Sequence, residues 1–198
     1  MIKNNNKKYD ANFTAGGILF NEFTALEEIL LSENFDECIS IEEEENNVMG
    51  VATNSARKRI ISEIKRRYNI APEDFWIHFF GWDENEQKLA LFFLCLKTYP
   101  LIFDIHFEVT LKKYKVGSTL NAYDIQMRVD EIASSDEDVA SWSDSTYKKI
   151  NVQYRKALKD VGLLKGERLI KTTNEGSLFW SYFEDHQEAW FLTACFKN

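Results

Sequence analysis

A chain of 198 residues with 44% hydrophobic side chains is long enough to fill one large core or two small ones. Eight glycines and two prolines exclude extensive coil and a many-turned all-β fold. The net charge of −8 argues mildly against nucleic acid as a partner, but binding follows local potential more than total charge.

In chain order, an apolar stripe of Ile18, Leu19, Phe23, Leu26, Ile29 and Leu30 predicts a first helix from about Thr14 to Leu31, with Gly16 and Gly17 in its first turn. A glycine pair at a helix N-terminus can form a phosphate nest, or simply allow close packing. A second helix over 35–46 turns Phe35, Cys38, Ile39 and Ile41 inward and the acids Glu42 to Glu45 outward. A third starts at a cap between Thr53 and Ser55 and runs to about Tyr68. Its apolar side is Ile60, Ile61, Ile64 and Tyr68, opposite Lys58, Arg59, Lys65 and Arg66. Pro72 opens a short helix over 72–80, and Asp83 caps a helix reaching Thr98. Leu89 to Leu96 are apolar on every side, which predicts the buried centre of the domain. Pro100 breaks that helix and starts the next, which ends near Lys112, Lys113 and Lys115. One or two short acidic helices fill 119–142.

Residues 143–164 carry the most information. Ser143 or Asp144 caps a helix and Gly162 ends it. At about 100° per residue, Ile150, Tyr154, Ala157, Leu158 and Val161 fall on one side. Lys148, Lys149, Arg155, Lys156 and Lys159 fall on the other. Beyond Gly162, two β-compatible runs, Leu163 to Thr172 and Leu178 to Glu184, predict a hairpin joined by Thr173 to Ser177. A last helix over 186–195 carries Trp190 and Phe191. A soft domain boundary falls near Gly117 and Ser118, dividing a helical part (1–118) from a winged-helix-like part (119–198).

The charges are segregated. Residues 27–45 carry nine acids and no base, residues 53–68 six bases and one acid, and residues 143–159 five bases and one acid. A cationic helix followed by a hairpin is the order of a winged helix, in which Lys and Arg meet phosphates and the wing touches the adjacent backbone. Asn151 and Gln153 are the side chains near that face able to read base edges.

Enzyme chemistry has little to stand on. His78, His106 and His186 lack a nucleophile or ligand partner at recognisable spacing, and no GxSxG, GxxxxGK[ST], GxGxxG or HExxH pattern occurs. The acid run Glu42 to Glu45 lacks the alternating ligands of a calcium loop. No cofactor or metal is expected. Cys38, Cys95 and Cys195 are too few and too scattered for a disulfide framework or a zinc knuckle, which points to a reduced, cytoplasmic setting. The longest apolar run, Leu89 to Leu96, is far short of the about 20 residues that span a bilayer, and the polar N-terminus is not a signal peptide.

Three blocks resemble the BrxA family of bacteriophage-exclusion (BREX) defence systems. They are Tyr9 to Glu22 (YDANFTAGGILFNE), Asn54 to Tyr68 (NSARKRIISEIKRRY), and Ser143 to Leu164 with its terminal Asp-Val-Gly-Leu-Leu. The likeness extends over residues 9–172 and fits less well beyond. It implies a mainly α accessory protein encoded beside a methyltransferase and an ATPase, partly similar in fold to the antitermination factor NusB, that binds DNA. The expected function is therefore non-catalytic binding of double-stranded DNA through phosphates, with other BREX proteins as further partners. The competing reading is a protein-interaction scaffold that uses the acidic face 27–45 and exposed aromatics near Trp180, Tyr182 and Trp190. RNA binding by analogy with NusB is a third.

Overall fold

The computed structural model describes residues 8–117, 119–172 and 176–197. It is mainly helical, with one two-stranded antiparallel hairpin near the C-terminus. A 3₁₀ turn, Asn12–Ala15, leads into α1 (Phe20–Ala25) and α2 (Glu27–Leu30). The single first helix expected from the apolar stripe is thus broken. Gly17 (φ 65°) and Leu19 (φ 57°) sit in the left-handed region, which glycine adopts freely and leucine only when its surroundings hold it there. Buried Arg67 does the holding. Its guanidinium donates to the carbonyls of Gly17 (2.6 Å) and Ile18 (2.9 Å), which a continuous helix would keep for itself.

α3 (Phe35–Glu45) matches its expected span, but two of its residues are reversed. Ile41 is exposed and Glu42 buried. The Glu42 carboxylate accepts the backbone N–H groups of Asn47 (3.0 Å), Val48 (3.1 Å) and Met49 (2.8 Å), so it organises the loop after α3 rather than facing solvent.

α4 (Asn54–Ile70) begins at Thr53, whose hydroxyl accepts from the amide of Ala56. α5 (Phe75–Gly81) precedes α6 (Glu84–Thr98), which Asp83 and Glu86 start with a reciprocal capping box. Every residue from Leu89 to Leu96 is buried, and α4, α5 and α7 pack around α6 as its apolar surface requires. After Tyr99 the chain turns and continues as α7 (Pro100–Ile105), a π-helical turn (His106–Thr110) and α8 (Leu111–Lys115). Among the described residues no single helix is long and apolar enough to cross a membrane. α6 and the Pro100–Lys115 helix reach that length only together, across a 107° bend.

α9 (Ala122–Ala133), α10 (Glu137–Ala140) and α11 (Asp144–Asp160) follow. The hairpin is β1 (Leu164–Lys165) with β2 (Arg168–Leu169), closer to α11 than the sequence pattern predicts. Leu178 to Glu184, expected as its second strand, lies in α12 (Ser177–Asp185), and the chain ends in α13 (Trp190–Ala194). Residues 173–175 of the expected turn, and Ser118, lie outside the described residues. α12 is a helix because Phe179, Trp180 and Phe183 recur at helical spacing, and Phe179 and Phe183 meet the rings of Trp82 and Phe93. The same packing buries Trp180 and Tyr182 and half-buries Trp190, so they form no exposed aromatic surface.

Candidate nucleic-acid interface

α11 is held firmly from its inner side. Ser143 caps it by accepting from the amide of Thr146 (3.3 Å), and Gly162, at φ 74°, follows its last turn. Ile150, Tyr154, Ala157 and Leu158 are buried against the core. The Tyr154 hydroxyl lies 2.8 Å from His106 Nδ1 and 2.7 Å from the Thr110 hydroxyl, while His106 Nε2 lies 2.8 Å from the Ala194 carbonyl. A carbonyl only accepts, so Nε2 carries the proton, Nδ1 accepts from Tyr154, and Tyr154 accepts from Thr110. Burial holds His106 well below the usual imidazole range, at about 4, which keeps it neutral and suited to this chain of bonds. Asn151, expected near the exposed face, is buried and donates to the Ala122 carbonyl at 2.6 Å, tying α11 to α9. It is therefore not placed to read bases. Gln153 is half-buried, its side-chain oxygen beside Gly17.

With the inner face fixed, the outer face is determined. Lys148, Lys149, Lys156 and Lys159 are exposed, with Val152 at 60% exposure among them and Arg155 half-buried at the margin. At about 100° and 1.5 Å per residue these cations occupy an arc of roughly 120°, and Lys148 and Lys159 stand about 16 Å apart along the axis. Lys156 is paired with Asp160 at 3.3 Å. No other lysine of the set is ion-paired among the described residues.

The hairpin extends the same charge. Leu164 pairs with Leu169 on the buried side, and Lys165 pairs with Arg168 on the exposed side. Like charges directly opposite one another weaken a hairpin, so this pair concentrates positive charge at some cost to local stability. Gly166 (φ 64°) permits the tight turn. An isolated bridge from Thr119 to Arg168, and the Leu120 amide donating to the Glu167 carbonyl (2.8 Å), fasten the hairpin to the start of α9. Lys171 is also exposed. Lys165, Arg168 and Lys171 are not singled out in the sequence because Leu163 to Thr172 is expected as one strand, with the turn further along. The signal for them was present in Leu-Lys-Gly-Glu-Arg-Leu, an alternation centred on glycine. From 144 to 171 the chain carries eight bases and three acids, a local charge of +5 in a chain of −8.

The α4 cations are differently placed. Lys58 is exposed, and Arg59 donates to the Thr14 hydroxyl at 2.9 Å. Lys65 approaches Glu43 at 3.9 Å, and Arg66 binds both Asp10 (2.9 Å) and Glu63 (3.1 Å). Most of this charge is thus engaged within the protein. α4 and α11 both pack on the Asn12–Ala15 turn, so the two basic helices flank one N-terminal segment. The glycine pair beside it is no phosphate nest. The amides of Gly16 and Gly17 point back to the Phe13 carbonyl, and the Gly17 carbonyl is held by Arg67. Among the described residues no three His, Cys, Asp or Glu side chains are grouped to hold a metal ion.

The model of the BrxA family matches residues 7–174, a span that includes α11 and the hairpin and stops short of α12. The chain belongs to the BrxA family. It is similar to the BREX protein BrxA of Bacillus cereus (strain H3081.97), with 29% identity over 164 residues, covering 81% of this chain and 80% of that one. A crystal structure of an uncharacterized protein from Magnetospirillum magneticum superposes with a TM-score of 0.78 at 20% identity, covering 96% of this chain and 98% of the other. That likeness shows the fold alone.

Proposed function

We propose that this BrxA-family protein is a non-catalytic accessory component of a BREX phage-defence system, working in the cytoplasm, and that it binds double-stranded DNA through α11 and the hairpin. One observation carries the reading: Lys148, Lys149 and Lys159 on the helix, Lys165 and Arg168 on the hairpin and Lys171 just after it are exposed and meet no acid among the described residues, on elements fastened to the core. Short helices, then a cationic helix and a hairpin, is the element order of a winged-helix DNA-binding module. With Asn151 turned inward, the exposed face offers charge rather than hydrogen-bonding amides, so contacts go mainly to phosphates. Of the α4 set, Lys58 and Arg59 supply a second contact where the duplex passes the N-terminal turn, while Lys65 and Arg66 have structural roles.

The test is fluorescence anisotropy of a labelled ~30-base-pair duplex, titrated at ~50 and ~200 mM salt beside a single strand and an RNA hairpin. Duplex binding that weakens steeply with salt is expected. Absence of duplex binding at the lower salt, or preference for the RNA hairpin, would overturn the proposal.

A further inference from the structure

α5 and α12 enclose a groove of about 460 Å³ lined by Ile77, His78, Trp82, Leu178, Tyr182, Asp185 and His186 among others. Its two rims carry Ile77 and Leu178, which are 70% and 84% exposed. Asp74 ties the two sides together. Asp74 lies 3.3 Å from His78 Nε2 and 3.1 Å from His186 Nε2, and accepts from the Tyr182 hydroxyl at 3.0 Å. Between these sides the floor is formed by the half-buried Trp82 and the imidazoles of His78 and His186, with Tyr182 mostly covered beneath them. Two large aliphatic side chains standing out of such a floor at its edges have the layout of anchors for an amphipathic helix.

The charge around the groove restricts what can lie in it. Residues 69–87 and 176–196, which contain both walls, hold eight carboxylates and not one Lys or Arg. Glu84 and Glu188 are neutralised by Lys88 and Lys97 of α6. Asp185, which lines the groove, is exposed and meets no base among the described residues, and the same holds for Glu184 beside it on α12 and Glu73 just before α5. An apolar groove with such a rim repels acidic segments and favours one whose apolar stripe is flanked by Lys and Arg. We infer that the α5–α12 groove is a docking site for a basic amphipathic helix of another protein. None of the residues proposed to meet the duplex lines it, so it gives the protein a second, differently charged contact. α12 lies beyond the residues matched by the family model.

The experiment uses the full chain and a fluorescein-labelled helical peptide of about 14 residues built from Leu and Lys at 3.6-residue spacing. Its counterpart has Glu in place of Lys. Anisotropy at ~150 mM salt, where long-range attraction is screened, is expected to show saturable binding of the basic peptide and none of the acidic one. L178E and I77E, at exposed positions that leave the fold intact by circular dichroism, should each weaken binding on the order of tenfold or more, as expected for loss of an aliphatic anchor. Glu44→Lys, on the separate acid run of α3, should leave it unchanged, and L178E should leave the duplex titration unchanged. Equal binding by L178E, equal binding of the acidic peptide, or no saturable binding would overturn the inference. So would self-association in sedimentation velocity that L178E abolishes, because the occupant would then be a second copy of this chain.

Discussion

Reversing Lys148 and Lys159 to Glu tests the proposed duplex-binding face most directly. Both side chains are exposed, unpaired among the described residues, and at opposite ends of the cationic stripe. Five such cations lie on α11 and the hairpin, and Lys171 just after it makes a sixth. If four to six of them meet phosphates, log Kd should change with log salt by a slope of roughly 4 to 5. Affinity should then fall about 10²- to 10³-fold between ~50 and ~200 mM salt. Removing two contacts should lower the slope by about 2 and weaken binding at ~50 mM by about 10²-fold or more. The loss should be the same for unrelated duplex sequences, because phosphates carry no base identity. The assay is the anisotropy titration at several salt concentrations, with thermal melting as the control that the fold is intact. An unchanged slope in the double variant would remove α11 from the interface. An equal loss from Lys65→Glu, whose side chain faces Glu43, would show that overall charge rather than this face governs binding.

Two further predictions concern the supports beneath that face. Arg67→Met leaves the Ile18 carbonyl and the hydroxyl oxygen of Tyr99 without a donor and the Gly17 carbonyl with only the weak Cys95 thiol at 3.8 Å, at about 1–3 kcal/mol each. A total near 4 kcal/mol should lower Tm by about 10 °C in circular dichroism melts, and a drop of less than ~3 °C would show that the network is dispensable. His106 is held at about 4 in the folded chain, against roughly 6.5 when unfolded. The unfolded chain therefore takes up the proton first as pH falls, so this contribution to stability is present above about 6.5 and is lost progressively towards 4. Between pH 7 and 5.5 the loss should be about 1 kcal/mol in urea unfolding, and His106→Gln should flatten that stretch of the profile. An unchanged slope would mean that His106 is not buried as a neutral imidazole.

Much of this molecule follows from local pattern. Asp83 and Ser143 are caps wherever the chain folds, because their oxygens are within reach of their own helix's free amides. Leu89 to Leu96 leave α6 no polar side to expose, so its central position is decided before any partner is known. The two faces of α11 follow from spacing alone, which made its five cations legible as one candidate set. Other features depend on which distant residues meet. Arg67 differs from Arg66 by one position, yet burial and two carbonyls from the broken first helix make it a core residue, while its neighbour binds Asp10 near the surface. Glu42 is set apart from Glu43, Glu44 and Glu45 only by the loop amides that converge on it. Asn151 faces inward because α9 presents the Ala122 carbonyl there. The run Leu178 to Phe183 suits a strand by composition and becomes a helix because Trp82, just after α5, and Phe93 of α6 receive it at helical spacing. Local geometry specifies which residues share a face. Only tertiary packing, by supplying or withholding partners for buried polar groups and rings, decides which faces are used internally and which remain for a ligand.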